Sequence, residues 1–245
     1  MFEERLISKK NEVYKRMREA DGETCFAVEK EFTDARRFHM EHVVRGIAEK
    51  GGLTVPRLLD FEIPSGDFNG KLVYEFIDGD LALDLLAEDG AAEEVLSQIV
   101  AWMGRFYEIM PRDSDGEKWM LGDIHLRNFI YCRENQTVYG IDFEEAEKGD
   151  TESDVAKLFL FIATYEPAYS ERHMRLAEHF LRESLSAFKL EKKRLLDEIC
   201  LRAAQMGERR SCEIDAGLLA TTVERTFDAS PPHSSAPARS RRRSG

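Results

Sequence analysis

The sequence predicts an α+β fold with two lobes, in which a small N-terminal antiparallel sheet with one helix precedes a mainly helical C-terminal lobe. Two patterns predict this arrangement. Short segments of alternating polarity, separated by turn residues, fill residues 1–78, whereas apolar residues at helical spacing dominate from residue 91 onward. The chain has 245 residues, of which 42% are hydrophobic, and it is long enough to bury a full core.

The N-terminal lobe is expected over residues 1–78. Its predicted elements, in order, are a strand from Asn11 to Met17, a strand from Thr24 to Phe32, a helix ending near Lys50, a strand from Leu53 to Glu62 and a strand from Lys71 to Ile77. A turn at Asp21-Gly22 joins the first two strands into a hairpin. Thr33 and Asp34 offer N-caps to the helix, and Gly51-Gly52 ends it.

The C-terminal lobe is expected over residues 79–228. Its predicted elements are helices from Ala91 to Met110, Val155 to Ala163, Ser170 to Phe188 and Glu191 to about Glu208, with a hairpin of Arg127 to Cys132 and Thr137 to Ile141 between the first two. Residues 229–245 are rich in Ser, Pro, Ala and Arg, a composition that cannot build a packed core. We expect a disordered basic tail there.

The composition excludes several classes of function. A formal net charge of -12 disfavours nucleic-acid partners, which need a basic face, and is compatible with a cationic small molecule. The longest apolar run, Leu158 to Ala163, is far shorter than the ~20 residues of a membrane-spanning helix. No secretory signal follows Met1, so we expect a cytoplasmic protein. Four scattered cysteines without a C-x-x-C pair indicate free thiols rather than a zinc site or disulfides.

Two segments of the C-terminal lobe carry the chemistry. They read Leu121-Gly-Asp-Ile-His-Leu-Arg-Asn128 and, after the predicted hairpin, Ile141-Asp-Phe-Glu144. Phosphoryl transfer needs one carboxylate to orient the acceptor hydroxyl, together with an amide and a second carboxylate to hold Mg²⁺ against the ATP phosphates. Asp123, Asn128 and Asp142 supply that set at the spacing of a kinase catalytic loop. The sequence therefore predicts a phosphotransferase that uses ATP and Mg²⁺.

Together with Gly149-Asp-Thr-Glu-Ser-Asp154-Val-Ala, these segments resemble the aminoglycoside phosphotransferase and choline kinase group of protein-kinase-like enzymes. The resemblance covers about residues 10–190. It implies a two-lobed kinase-like fold, with Asp123 as catalytic base, Asn128 as a second residue of the catalytic loop and Asp142 beside it as metal ligand. Asn128 would also coordinate the metal, and Asp154 would brace the loop from a buried position.

One position departs from the family pattern, because Leu121 stands where that group has a histidine. The departure leaves the internal hydrogen bonding of the catalytic loop to be established. His125, the second histidine of the pattern, is interpreted as a structural donor within the loop.

The N-terminal lobe must supply a lysine for the phosphates and a glutamate on the following helix to hold it. Lys30, at the end of a predicted strand, and Glu41, near the middle of the helix, occupy those places, with Lys15 and Glu49 as less suitable alternatives. The segment Lys9-Lys-Asn-Glu-Val-Tyr contains none of the glycines that usually cover the phosphates.

The segment Leu72-Val-Tyr-Glu-Phe-Ile-Asp-Gly79 resembles the hinge between the lobes of this group. The resemblance implies that the backbone at Glu75 and Ile77 meets the adenine edge. The alternative reading is a strand that simply enters a turn.

The acceptor is expected to be a small molecule with a hydroxyl group. Only eleven residues separate Asp142 from Asp154, and no A-P-E element follows, so a peptide-docking segment is missing. An acidic run, residues 144–154, can bind a cationic acceptor or form a solvated surface. An atypical protein kinase and a nucleotide-binding pseudokinase scaffold are the alternatives. The sequence decides neither between ATP and GTP nor on the oligomeric state.

Overall fold

Five strands near the N-terminus form one antiparallel sheet in the computed structural model, which describes residues 2–20, 23–88, 90–112 and 118–229. The strands are β1 (Glu3–Arg5), β2 (Glu12–Ala20), β3 (Glu23–Glu31), β4 (Leu58–Glu62) and β5 (Lys71–Glu75). Their order across the sheet is β1-β2-β3-β5-β4. The predicted hairpin is confirmed as β2 and β3, while its turn at Asp21-Gly22 and the predicted tail from residue 230 onward lie outside the described residues.

Helix α1 (Ala35–Lys50) crosses one face of this sheet. It begins where predicted, because the Asp34 side chain accepts a hydrogen bond from the Arg36 N–H and caps the first turn. Its contact with the sheet is apolar and buries Phe32, Phe38, Leu72 and Tyr74 as one cluster. That packing fixes α1 over β3 and β5, and so fixes the position of any polar side chain between them.

The C-terminal part consists mainly of helices around one large core. They are α2 (Ala91–Ile109), α3 (Thr151–Ala163), α4 (Glu171–Ala187), α5 (Lys192–Arg210) and α6 (Ala216–Ala229). Helix α3 is buried along most of its length, as its nearly continuous apolar sequence predicts. The predicted α+β fold, a small sheet lobe followed by a helical lobe, is confirmed. Within the described residues, no helix is long and apolar enough to cross a membrane.

A short strand before α2 and further short strands between α2 and α3 position the predicted catalytic segments. They are β6 (Asp80–Leu81), β7 (Trp119–Met120), β8 (Phe129–Cys132), β9 (Thr137–Gly140) and β10 (Glu147–Lys148). One small sheet has the order β6-β8-β9, and β10 pairs with β7. The predicted hairpin is confirmed as β8 and β9, preceded by a 3-10 turn at Leu126–Asn128. Consequently Asp123 lies in the loop before β8, and Asp142 is the second residue after β9.

Some predicted boundaries were wrong. The strand expected from Leu53 begins at Leu58, because Pro56 has no N–H to donate to a sheet, and Leu53 and Val55 enter the large core instead. The strand expected to end at Ile77 ends at Glu75. Neither β1 nor α6 was predicted.

Candidate active site

Lys30, on β3, lies at the centre of an ion-pair cluster in which Glu41 and Glu144 are buried and Asp142 is at the exposed edge. Its Nζ is 3.1 Å from Glu41 Oε2, 2.8 Å from Asp142 Oδ1 and 3.0 Å from Glu144 Oε2. The structure therefore brings together three of the residues predicted from the sequence and adds Glu144, the last residue of the Ile141-Asp-Phe-Glu segment. A strand, a helix and the segment after β9 all converge on this ammonium.

The cluster has an excess of negative charge. Burial alone would lower the pKa of Lys30, but Glu41, Asp142 and Glu144 raise it far above its usual range, so the ammonium stays charged. Burial would likewise raise the pKa of Asp142, but Lys30 lowers it, and Asp142 stays ionised. Oxygens of the three carboxylates all lie within 4.8 Å of one another. Burial raises the pKa of Glu41 and so opposes its ionised form. One ammonium facing three acidic groups is an arrangement that suits an added divalent cation.

Glu41 also ties α1 to the segment that carries Asp142. Its Oε1 accepts a hydrogen bond from the Tyr74 hydroxyl at 3.0 Å, and its Oε2 accepts one from the Phe143 N–H at 2.9 Å. Glu41 is almost completely buried. Since every bond to a charged acceptor in such a site is strong, the orientation of this carboxylate is fixed.

The alternative residues lie elsewhere. The Lys15 ammonium is 3.7 Å from the centroid of the Phe76 ring, in a cation–π contact. Glu49 pairs with Arg45 of the same helix. Within the part of the chain that the structure describes, neither side chain contacts the cluster around Lys30. Of the four candidates, Lys30 and Glu41 are the two that the fold brings into contact.

The catalytic loop is held by bonds to Asn128. Its side-chain Nδ2 donates a hydrogen bond to the backbone carbonyl of Asp123 at 2.7 Å. Its backbone carbonyl accepts a hydrogen bond from the Ile141 N–H at 2.9 Å. The Asp123 carboxylate itself is half exposed. Because Nδ2 is used, the side-chain oxygen of Asn128 is the end of the amide that can coordinate a metal.

A small cavity is lined by both Asn128 and Asp142. Asp142 has φ +66°, in the left-handed region that Asp tolerates better than most residues. Strained backbone of this kind is concentrated at functional sites. The other residues that line the cavity are apolar, so its oxygen ligands come from these two side chains, and Mg²⁺ takes oxygen ligands. The residues present therefore fit the predicted metal, with Asp142 and Asn128 as the groups that would hold it.

Asp154, in the first turn of α3, is fully buried and holds the loop that carries Asp123. It accepts hydrogen bonds from the backbone N–H groups of Leu121 and Gly122 and from the Tyr107 hydroxyl. Lys157, one turn further along α3, donates to the Gly122 carbonyl at 2.6 Å. The loop backbone is thus anchored to α3 on both its donor and acceptor sides.

His125 packs its ring against Phe161, with 5.7 Å between the ring centroids. Burial lowers its pKa, so the imidazole is favoured in its neutral form. Nδ1 is buried and has no hydrogen-bond partner within the described part of the chain. The expected role of His125 as a donor within the loop stays a prediction. The nitrogen that would donate this hydrogen bond is Nε2.

The predicted adenine contacts lie at the end of β5. The Glu75 N–H donates to the Arg57 carbonyl at 2.9 Å, and the Glu75 side chain accepts from the Arg57 N–H. An adenine could therefore meet only the carbonyl of Glu75, not its N–H. Ile77 follows two residues beyond, past the last residue of the strand.

The acidic run of residues 144–154 is largely used inside the protein. Glu144, Glu152 and Asp154 are buried. Glu145 pairs with Lys10, which approaches from the segment before β2. Glu147 and Asp150 are exposed, so the run is partly buried and partly solvated, and the binding of a cationic acceptor stays a prediction.

Two residues of the segment before β2, Lys10 and Asn11, contact the site and were not predicted from the sequence. Lys10 Nζ lies 2.8 Å from Glu145 Oε1 and 3.4 Å from Asp123 Oδ2. Asn11 is buried and donates through Nδ2 to Glu144. The available signal was the position of this lysine-rich segment, directly ahead of a strand and in the place of a glycine-rich loop.

The fold is similar to that of solved aminoglycoside phosphotransferases and of an ethanolamine kinase, as the resemblance in sequence predicted. The aminoglycoside phosphotransferase APH(3'')-Id from Streptomyces rimosus is 16% identical to the chain, with a TM-score of 0.56, and the match covers 80% of this chain and 90% of that one. The ethanolamine kinase from Plasmodium vivax is 12% identical, with a TM-score of 0.55 and coverage of 91% and 81%. No family model and no curated protein sequence matches the chain.

Proposed function

We propose that this protein is an ATP-dependent phosphotransferase that moves the γ-phosphoryl group to a hydroxyl of a small molecule, such as an amino sugar, an aminoalcohol or a sugar. The observation that carries the proposal is the contact of Lys30 with both Glu41 and Asp142, next to the loop of Asp123 and Asn128. Phosphoryl transfer depends mainly on positioning and charge stabilisation, and this arrangement serves both. Residues 1–78 would bind the nucleotide, and residues 79–228 would complete the site.

Each residue has a definite task in this proposal. Lys30, oriented by Glu41, binds the phosphates of ATP. Asp142 and the side-chain oxygen of Asn128 hold Mg²⁺, which supplies positive charge to the phosphates when it is bound. The Asp123 carboxylate, exposed enough to meet a substrate, orients the acceptor hydroxyl and accepts its proton. The Glu75 carbonyl and the Ile77 backbone meet the adenine.

A small acceptor is favoured by the length of the segment after Asp142. That segment forms only the two-residue strand β10 before α3 begins at Thr151, which leaves no platform for a peptide. A solved structure of similar fold, 15% identical, contains ADP and streptomycin, which supports a hydroxylated small molecule. We place the reaction in the cytoplasm, where the ATP that it consumes is available.

The first test is Mg-ATP consumption by the purified protein with a panel of amino sugars, aminoalcohols and plain sugars, with a generic protein as a further acceptor. Asp142→Ala serves as the blank. We expect turnover with one class of small molecule. Transfer to the protein would identify a protein kinase instead. Binding of Mg-ATP without transfer to any acceptor would favour the scaffold function.

The second test concerns Asp123. Asp123→Asn keeps the size of the side chain but removes its basicity, so we expect turnover to fall about a hundredfold or more, with the affinity for Mg-ATP nearly unchanged. Asp150→Asn is the matched control, because Asp150 lies in the same acidic run and its exposed side chain pairs with Arg194. Equal turnover in the two variants would contradict the assigned role of Asp123.

A further inference from the structure

The segment between β1 and β2 extends a cation to the proposed base. Lys10 Nζ lies 3.4 Å from Asp123 Oδ2 and 2.8 Å from Glu145 Oε1, across 113 and 135 positions of the chain. This segment stands where kinases carry a glycine-rich loop over the ATP phosphates, yet it reads Ser8-Lys-Lys-Asn11. A loop without glycine cannot wrap its backbone closely around phosphates as easily, but a lysine side chain can reach them.

The direction of Lys10 is fixed by its neighbours. Asn11 is buried, accepts a hydrogen bond from the Thr33 N–H through Oδ1 and donates through Nδ2 to Glu144. The Asn11 N–H donates to Ser8 Oγ at 3.2 Å, and the Thr33 hydroxyl donates to the Lys10 carbonyl at 2.7 Å. The backbone of Lys10 is therefore held over the site, and only its side chain is free to change partners.

The ion pairs around the site indicate that a second cation, Lys10, is available to bind a phosphate. Lys30 already contacts three carboxylates, so it can offer the phosphates only part of its positive charge. Lys10 contacts two, and one of these, Glu145, also pairs with Arg37 at 3.0 Å. If Lys10 moved away, Glu145 would retain a cationic partner. The half-exposed Asp123 carboxylate would then face solvent, at little electrostatic cost in a medium of high dielectric constant.

We infer that Lys10 is a γ-phosphate ligand that exchanges partners, pairing with Asp123 and Glu145 until ATP binds and then moving to the terminal phosphate. This inference rests on the proposed function and deepens it. The γ-phosphate is the group that Lys10 meets, because the acceptor hydroxyl held by Asp123 must lie next to that phosphate for in-line transfer. The exchange frees the Asp123 carboxylate for the acceptor, so the nucleotide binds first and the acceptor second.

Binding calorimetry on two variants tests the inference. Lys10→Met removes the ammonium but keeps the length of the side chain, and Lys9→Met makes the same change at the neighbouring exposed lysine. We expect Lys10→Met to bind the magnesium complex of the non-hydrolysable ATP analogue AMP-PNP about tenfold more weakly than Lys9→Met does. Binding of Mg-ADP, which lacks the γ-phosphate, should agree within about twofold between the two variants.

The outcomes separate the two proposals. If wild-type protein binds AMP-PNP and the two variants bind it equally, the role of Lys10 is wrong and the proposed function stands. If Lys10→Met weakens Mg-ADP as much as AMP-PNP, the assignment to the γ-phosphate is wrong. If wild-type protein binds neither nucleotide, the proposed function and the inference fail together.

A thermal-unfolding cycle provides a second, independent readout. The variants Lys10→Met, Asp123→Asn and the double variant should show a coupling between the two positions without nucleotide, because the ion pair is lost only once. With saturating Mg-AMP-PNP the coupling should disappear, since Lys10 has then left Asp123. A coupling of the same size under both conditions would overturn the exchange of partners.

Discussion

The backbone N–H of Leu121 donates a hydrogen bond to Asp154 Oδ2 at 2.7 Å, while the Leu121 side chain is buried in the large core. The bond that braces the catalytic loop thus comes from the main chain at this position. The enzymes that this chain resembles have a histidine here. The backbone bond is formed without that side chain, and the replacement leaves the brace of the loop intact.

Removing the Asp154 carboxylate should destabilise the protein strongly. Asp154→Ala leaves the N–H groups of Leu121 and Gly122 and the Tyr107 hydroxyl without their acceptor in a buried place. We expect the free energy of unfolding, measured with urea, to fall by about 3 kcal/mol. The same change at the exposed Asp150 should cost about 0.5 kcal/mol or less. Similar losses for both variants would show that Asp154 is not a brace.

Gly122 has no room for a side chain. Its φ is +75°, and a Cβ there would lie 1.9 Å from the Glu145 carbonyl oxygen. Gly52 has almost the same φ, +74°, with nothing within 4 Å of its Cβ position. Gly52→Ala should therefore cost about 1 kcal/mol for the left-handed backbone alone, and Gly122→Ala should cost clearly more. Urea denaturation of both variants measures the difference, and equal costs would mean that the loop yields easily.

The three motifs could be found in the sequence because each motif is local, and their catalytic roles stay predictions. Asp123, Asn128 and Asp142 are recognised from spacings of a few residues around one hairpin. The contact of Lys30 with Glu41 was predictable for the same reason, since a strand and the next helix carry both. The fold class followed from hydrophobic periodicity in the same way.

The rest depended on tertiary packing. Lys10 meets Asp123 only because the sheet lobe closes over the loop. The position of its segment ahead of a strand was a signal for the phosphates, but not for this contact with Asp123. Pro56 and its neighbours alternate in polarity like a strand, but the apolar members cross into the helical core. Helix α6 follows a loop after Arg210, and its apolar residues are too few to predict the helix without knowing the surface that they cover.

Helix α6 should stabilise the fold through its buried face. Leu219 is fully buried, whereas its neighbour Leu218 is 42% exposed. Leu219→Ala should lower the free energy of unfolding by about 3 kcal/mol, because it leaves a cavity in the core, and Leu218→Ala by clearly less. Chemical denaturation of the two variants is the measurement. If both lose the same small amount, α6 contributes little to the core.

Removal of the Lys30 ammonium should convert its surroundings into a stronger cation site. Lys30→Met removes the cation that is shared by the carboxylates of Glu41, Asp142 and Glu144. Oxygens of these three carboxylates lie within 4.8 Å of one another. Uncompensated buried charge of this kind costs about 3 kcal/mol. We therefore expect a lower melting temperature than that of the wild type, and a larger rise on addition of millimolar MgCl₂, because a ligand that binds only the folded state stabilises it.

The control for this rescue is Lys15→Met, since Lys15 lies over the Phe76 ring rather than among carboxylates. NaCl at matched ionic strength separates specific binding of Mg²⁺ from screening of repulsion between the carboxylates. A rise in melting temperature that is confined to Lys30→Met and to Mg²⁺ would identify the cluster as a divalent-cation site. If NaCl produced the same rise, the carboxylates would only repel one another, and the metal would have to be held by Asp142 and Asn128 without Glu41 or Glu144.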